Sequence, residues 1–595
     1  MKKLAILILS LFAVFALVGC VEEKSEPAKT VDNSAVEIYS MDLSDIAGYE
    51  TYVVTNGTWA ETYDVIINLA KREADAVKRT ALYHEAEDLL MSTGTIVPLY
   101  YYTDIFMASS DIDGFFSVPT GAKFFKYATV DGASDSIAVC LASEPDTIDP
   151  ALNSAVDGAT YILHAFSGLV TTTEDNEFVA DLATELPTPV SNNDGTVTYT
   201  FTLRSGLKWS DGTALTAADF EYAWRRAAAD ATAADYGYLF AIIDGYDEGN
   251  LNIDAVDATH FAVTLEVDVP YFFELCAFPT FMPVKQSVVE ADADGWATNK
   301  DTYVTSGAYV VSEWVHNSKI VLSKNPNYWN ASSIVMEEIT FWLSDDDTAI
   351  LGNFLNGTYD FIDGVPNDEI ADLKVSHADE FHIEGQLGTY YIIFNNNSDL
   401  LPSKVSEDMT PVENILANQE IRRALALLID RNYIVTEIGQ AGQLPASSFV
   451  AMGITNADGS EFYKTAGSTT DTYDGYWDTS AAAYAANCEE AVEILSKYFN
   501  YDKKTEKFTN FATFSYLFNT STGHQAIGEY LQSCFAEYGI VITLESQEWG
   551  TFLNTRKDGD YTLARNGWLA DYNDPINMLD MWVSESGNND AQLGK

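Results

Sequence analysis

Leu203-Arg204-Ser205-Gly206-Leu207-Lys208-Trp209-Ser210-Asp211-Gly212-Thr213, followed closely by Thr216-Ala217-Ala218-Asp219-Phe220-Glu221-Tyr222-Ala223-Trp224-Arg225, decides the fold. The first stretch reads as a strand running into a turn, with Asp211-Gly212 as the turn pair. Thr216 supplies a side-chain oxygen for the open amides of a following helix. Three more blocks lie further along: Thr305-Ser306-Gly307-Ala308-Tyr309, Lys324-Asn325-Pro326-Asn327-Tyr328-Trp329-Asn330, and Ile421-Arg422-Arg423-Ala424-Leu425 continuing to Asp430-Arg431. Ile421, Ala424, Leu425, Leu428 and Ile429 recur at helical spacing and are expected to face a core.

In order and approximate spacing these blocks resemble the family 5 extracellular solute-binding proteins, the dipeptide and oligopeptide receptors of bacterial ABC importers. The resemblance implies an α/β chain with a two-lobed periplasmic-binding-protein type II fold and an extra subdomain inserted in lobe one. It also implies a binding protein with no enzymatic activity and no cofactor, working as a monomer with importer permease subunits.

The order of the blocks departs from that family. Tyr63-Asp64-Val65-Ile66-Ile67, Arg79 to Leu90, and Ile96-Val97-Pro98-Leu99-Tyr100-Tyr101-Tyr102 resemble its carboxy-terminal helices and final crossing strand, yet here they come first. The usual opening, Ser143-Glu144-Pro145-Asp146-Thr147-Ile148-Asp149-Pro150, follows them, and Asn588-Asn589-Asp590-Ala591 falls where the family would continue into a segment like 56–103. A circular permutation is therefore expected, joined between Tyr127 and Val139, with Asp131-Gly132 as a tight turn between two apolar runs. On this reading residues 52–103 form the first part of lobe two. Residues 104–388 form lobe one with its inserted subdomain near 167–283, and residues 389–595 complete lobe two. The crossing strands are expected near Val97 to Asp104 and Ile383 to Asn395.

Composition narrows the partners. The 595 residues carry 89 Asp+Glu against 32 Lys+Arg, a formal charge of -57, which argues against nucleic acid because phosphate affinity needs clustered cations. Lys2 and Lys3 precede an apolar run from Leu4 to Val18, too short to span a bilayer comfortably. With Leu17-Val18-Gly19-Cys20 this resembles a bacterial lipobox, so residues 1–19 are expected to be a signal peptide and Cys20 the lipidated first residue of an extracytoplasmic, membrane-anchored protein. Residues 20–51 are polar and acidic and read as a tether. Cys140, Cys276, Cys488 and Cys534 are far apart and read as core residues.

Catalytic patterns do not emerge. There is no Gly-x-Ser-x-Gly elbow, no phosphate-binding glycine loop and no His-Glu-x-x-His; His84-Glu85 lacks the second histidine one turn on. Glu290-Ala291-Asp292-Ala293-Asp294-Gly295 with Asp301 has calcium-like spacing, but it lacks the leading Asp and the final Glu and reads as an acidic turn, so no metal is expected.

The candidate site lies late in the chain. In Arg565-Asn566-Gly567-Trp568-Leu569-Ala570-Asp571-Tyr572-Asn573-Asp574-Pro575, Asp574 reads as a helix cap with Pro575 at the first helical position. Asp571 lies outside that cap, and the resemblance implies that it pairs with the ammonium of a bound oligopeptide. The same resemblance puts Trp549, Arg556 and Trp568 in the cleft, with Arg556 or Arg565 suited to a ligand carboxylate. Tyr102 and one of Tyr390 and Tyr391 are expected beside the hinge; strand alternation sends the adjacent pair to opposite faces, and Tyr391 is the expected contact. Two departures bear on the ligand: Asp149 to Ser154 lacks an acidic contact, and Asp360 to Pro366 lacks a Tyr-Asn pair. Another small solute, such as a metal chelate, sugar or signalling peptide, is the second reading, and a secreted glycosidase is a distant third.

Overall fold

A computed structural model describes residues 39–132, 136–396, 415–465 and 473–595. The signal segment, Cys20, the tether as far as residue 38 and residues 133–135 of the join lie outside the described residues.

Two helices and two long strands organise the molecule. Helix α1, Trp59–Lys71, starts at Thr58, whose hydroxyl accepts from the Glu61 amide (3.2 Å) while the Glu61 carboxylate accepts from the Thr58 amide (2.9 Å). Its Tyr63, Ile66, Ile67 and Ala70 fall on one stripe and are fully buried. Helix α2, Ala76–Ser92, is capped by Asp75. Strand β1, Ile96–Ala108, and strand β2, Phe381–Phe394, are longer than the sequence suggests and pair antiparallel. Ile96, Val97 and Leu99 are fully buried, as expected of an apolar run in the interior of a sheet.

The principal sheet has eleven strands. From edge to edge it runs Tyr309–Val315, Lys319–Lys324, Glu338–Trp342, Ser136–Cys140, Phe361–Ile362, β1, β2, Leu563–Leu569, Phe514–Asn519 and Ile542–Gln547, with Leu444–Pro445 also on β1. Near its end, Met107 and Ala108 of β1 pair with Ile362 and Phe361. At its far end, Gly388 to Phe394 of β2 pairs with Leu569 to Leu563. The two strands thus belong to both halves of the sheet, and these halves are the two lobes. Their register shifts between Gly385 and Thr389, where the chain passes from one half to the other.

The region expected as an inserted subdomain carries its own four-stranded sheet, ordered Val190–Ser191, Val197–Thr202, His260–Leu265 and Ile253–Ala255. The quoted helix Ala217–Ala227 begins at Thr216 as expected, and Ile421, Ala424, Leu425, Leu428 and Ile429 are all buried. Cys140, Cys276, Cys488 and Cys534 are buried and free.

Two expectations need correction. The tether does not extend to residue 51: Tyr39–Asp42 pairs with Val53–Gly57, and Tyr39, Met41 and Leu43 are buried, because their alternation gives the segment an apolar face. Asp131-Gly132 does adopt the left-handed turn backbone, but Thr129–Val130 pairs back to Ile112–Asp113, and Ser136–Cys140 joins the main sheet instead of forming a hairpin with it.

The early block packs against the end of the chain. The Tyr63 hydroxyl donates to the Leu579 carbonyl (2.7 Å), the Ser584 amide donates to Asp64 (3.0 Å), and Arg422 Nε donates to the Thr93 carbonyl (3.0 Å). Lys71 and Asp580 form a buried ion pair (3.3 Å), and the Lys71 ammonium also lies over the Tyr238 ring. Burial pushes the Asp580 carboxyl up to about 6, and Lys71 counteracts the rise. A carboxylate whose folded pKa lies above its unfolded value of about 3.9 costs stability at neutral pH, and the cost vanishes as the pH falls below that value. Lys71→Met is therefore expected to lose about 3 kcal/mol at pH 7, with the deficit shrinking as the pH is lowered through 6 toward 4. Urea unfolding at several pH values checks this; an equal loss at every pH would assign the effect to packing alone.

Candidate functional site

The lobes enclose a cleft of about 600 Å3, within the roughly 300–1,000 Å3 of small-ligand sites. Its floor is the junction of the crossing strands. Tyr100 and Tyr102 of β1 line it, and Tyr100 stacks on Tyr390 at 4.8 Å between ring centroids. Beyond Ala564 the outer edge of Leu563–Leu569 has no strand partner among the described residues, and Arg565 to Leu569 line the cleft. A side chain at Gly567 would collide with the Tyr102 hydroxyl, so a glycine here leaves room for the Tyr102 ring on the cleft floor.

Asp571 stands at the end of that strand, before the short helix Pro575–Leu579. Asp574 caps the helix through the Ile576 amide (3.0 Å), which leaves Asp571 free for another role. Asn577 fixes it: its amide nitrogen donates to one Asp571 oxygen (3.0 Å), while its amide oxygen accepts from the Asp571 backbone (2.9 Å) and from Trp568 Nε1 (3.0 Å). The Tyr236 hydroxyl, from the inserted region, donates to the other oxygen (3.1 Å). Among the described residues no cation pairs with Asp571. Burial pushes its carboxyl up to about 7, and the two donors only partly offset this. The carboxylate is set and oriented, and it lacks a counter-charge.

The two arginines differ. Arg556 forms a buried ion pair with Asp590 (2.7 Å), so its charge is already matched. Arg565 Nε donates to the Asn519 amide oxygen (2.8 Å), and the guanidinium lies over Trp549 and Phe552 at 5.5 and 5.2 Å. Among the described residues it has no carboxylate partner, which makes it the stronger candidate for a ligand anion. His524, which no sequence motif marks, also lines the cleft. Burial and the Arg565 charge drive its imidazole well below its ordinary range, so at neutral pH it acts as an uncharged hydrogen-bonding group.

Of the expected residues, Asp571, Trp568, Arg565, Arg556, Trp549 and Tyr102 come together in the cleft lining. Tyr391 does not. It is fully buried on the opposite face of β2, packed against Phe449 and Trp582, while Tyr390 takes the side toward Tyr100 and Arg565. Alternation separates the two as expected, but it assigns the faces the other way. Asn577 and Tyr236 are further residues not foreseen; Asn577 reads in the sequence only as a helix position, and Tyr236 is more than 300 residues from the aspartate it holds.

Hydrogen bonds span the cleft mouth. The Thr522 hydroxyl donates to Asp347 (2.8 Å), the Asn573 amide donates to Glu274 (3.0 Å), and Lys557 reaches Ser154 (2.9 Å) and Asp235. The lobes are closed on each other.

A family model described as bacterial extracellular solute-binding proteins, family 5, middle part, matches residues 177–590. The chain is 32% identical over 467 residues to the periplasmic oligopeptide-binding protein OppA of Salmonella typhimurium, covering 76% of this chain and 77% of that one. It is 29% identical to the oligopeptide-binding protein OppA of Bacillus subtilis, over 76% of this chain and 77% of that one. The crystal structure of Haemophilus influenzae OppA in complex with RPPGFSPFR superposes with a TM-score of 0.67 at 29% identity, covering 78% of this chain and 85% of that one.

Proposed function

We propose, for a chain that belongs to the bacterial extracellular solute-binding proteins of family 5, that it captures oligopeptides between its lobes and delivers them to an ABC importer. The observation that carries this reading is the pairing of an oriented, uncompensated carboxylate, Asp571, with an uncompensated guanidinium, Arg565, in one closed cleft. A peptide has complementary charges at its two ends. Its ammonium meets Asp571 and its carboxylate meets Arg565, while its main chain runs along the free edge of Arg565 to Leu569. Oligopeptide binding by the relatives supports the same ligand class. Closure requires only that ligand favour the closed form; no bond is made or broken.

The Asp571 charge links binding to pH. In the empty cleft its carboxyl titrates at about 7, and a bound ammonium draws that value down, so binding expels a proton below pH 7. Affinity for a tripeptide with a free amino end is expected to fall as the pH drops from 7 to 5, by up to about tenfold per unit. Asp571→Ala is expected to weaken binding about a hundredfold and to abolish that slope. Calorimetric titration across pH measures both; an affinity that is flat between pH 5 and 7.5 would remove Asp571 from the role.

We also propose that Cys20 carries a lipid that holds the protein on the outer side of the cell membrane. The charged start, short apolar run and cysteine support this. Among the described residues no helix is long and apolar enough to cross a membrane. Cys20→Ala is expected to move the protein from the detergent phase to the aqueous phase on phase partitioning; wild-type protein already in the aqueous phase would exclude the anchor.

The chain order is, on our reading, a circular permutation. It is supported by strand β1 lying inside the principal sheet and by contacts of α1 with residues 579–584. Gly594 also lies close enough to Ala60 that a Cβ on it would come within 2.9 Å of the Ala60 methyl. A rearranged chain that starts at Ser136 and continues from Lys595 into Thr58 to Gly132 is expected to fold and to keep the original peptide affinity. Failure of that chain to fold, with the parent folding under the same conditions, would refute the equivalence of the two orders.

A further inference from the structure

The cleft lining carries more negative charge than the two ends of a peptide can answer. Of its cations, Arg556 is matched by Asp590 (2.7 Å), Lys557 by Asp235, and Lys123 by Asp104 (3.1 Å). Only Arg565 lacks a carboxylate among the described residues. On the acidic side, Asp571, Asp157, Glu274, Asp345 and Asp347 have no cation among the described residues, and Asp363 has only a distant share of Lys123 (3.7 Å), which Asp104 holds more closely. A zwitterionic peptide answers Asp571 and Arg565, which leaves five acids over.

Two of these five have a buried oxygen that no donor satisfies among the described residues. Asp157 Oδ2 and Asp363 Oδ1 are buried without a hydrogen-bond partner, whereas Glu274 accepts from the Asn573 amide (3.0 Å). Asp157 lies in the first turn of Val156–Ala165, a position that tolerates a carboxylate, and it lines the cleft while its Oδ2 is left without a donor. The Trp549 indole N–H lies beside it and favours the ionised carboxylate. Asp363 belongs to the loop that departs from the family pattern. Its neighbour Asp360 is structural, accepting from the Ala138 amide (2.7 Å), while Asp363 lines the cleft beside the Lys123–Asp104 pair. The charges of both aspartates help push the pKa of the buried Tyr161 hydroxyl up. Burial pushes Asp157 up to about 6 and Asp363 up to about 7, a desolvation cost that a ligand cation would relieve.

Resting on the peptide-capture reading, we infer that the cleft selects peptides with basic side chains and that Asp157 and Asp363 receive them. A lysine or arginine side chain brings the donors that the open oxygens lack, while an acidic side chain meets like charge. Calorimetric titration of the full chain at pH 7.5 with Ala-Ala-Ala, Ala-Lys-Ala and Ala-Glu-Ala tests this. The lysine peptide is expected to bind about tenfold more tightly than the alanine peptide, and the glutamate peptide more weakly than both. Asp157→Asn and Asp363→Asn keep the side-chain shape, and each is expected to bring the lysine-to-alanine ratio closer to one. Equal affinities for the three peptides would overturn the selection and leave peptide capture standing. A ratio unchanged in both variants would overturn the assignment of these two carboxylates. Binding of none of the three would remove peptide capture and this inference with it. Should either variant fail to fold, the order of affinities in the wild-type chain decides the selection by itself.

Discussion

The antiparallel pairing of Ile96–Ala108 with Phe381–Phe394 is the constraint on which the rest of the structure depends. Each strand is hydrogen-bonded into one lobe at one end and into the other lobe at the other. A strand inside a sheet cannot slip by one residue without turning its buried face to solvent, so the pairing fixes how the lobes meet. The shift of register between Gly385 and Thr389 falls at the passage between them, beside the tyrosines of the cleft floor. A rigid pair with two local irregularities, at Gly385 to Thr389 and at Tyr390 to Tyr391, positions a cleft and still allows its walls to move relative to each other.

The electrostatics of the cleft follow from that position. Side chains carried to the junction from both lobes lose water without gaining full charge compensation, so several carboxyls titrate near neutrality rather than near 4. Such groups are costly in the empty protein, and a ligand that supplies the missing charge recovers part of the cost. This contrasts with the framework acids. Asp149 is gripped by both guanidinium nitrogens of Arg226 (2.9 and 2.6 Å) and by Trp296 Nε1 (3.0 Å), a complete set of partners. Asp149 has its counter-charge built in; among the described residues Asp571 and Asp157 of the cleft do not.

Chain order and spatial order are separable in this molecule. Helices α1 and α2 are made early, yet their buried faces pack on residues 579–584 and on the helix Gln419–Leu427. Neither the buried Lys71–Asp580 pair nor the Arg422 contacts with Thr93 can form until most of the chain is present. Contacts of such long sequence separation carry a large loop-closure cost, which the shared apolar core must offset.

The sequence by itself determined the elements and their family: the turn at Asp211-Gly212, the cap at Thr216, the core stripe from Ile421 to Ile429, and the cap that set Asp574 apart from Asp571. These are readable because capping, turn geometry and periodicity act over a few residues. It also supplied six of the seven cleft residues it named, through motif resemblance. Only the tertiary structure decided which face of β2 carries Tyr390 and which Tyr391, since alternation gives opposite faces without saying which one is inside. Likewise, only the fold showed that Arg556 is matched by Asp590 while Arg565 is not, and that Asn577 and Tyr236 hold Asp571. Charge compensation and desolvation depend on distances between residues far apart in the chain, and a linear pattern does not contain those distances.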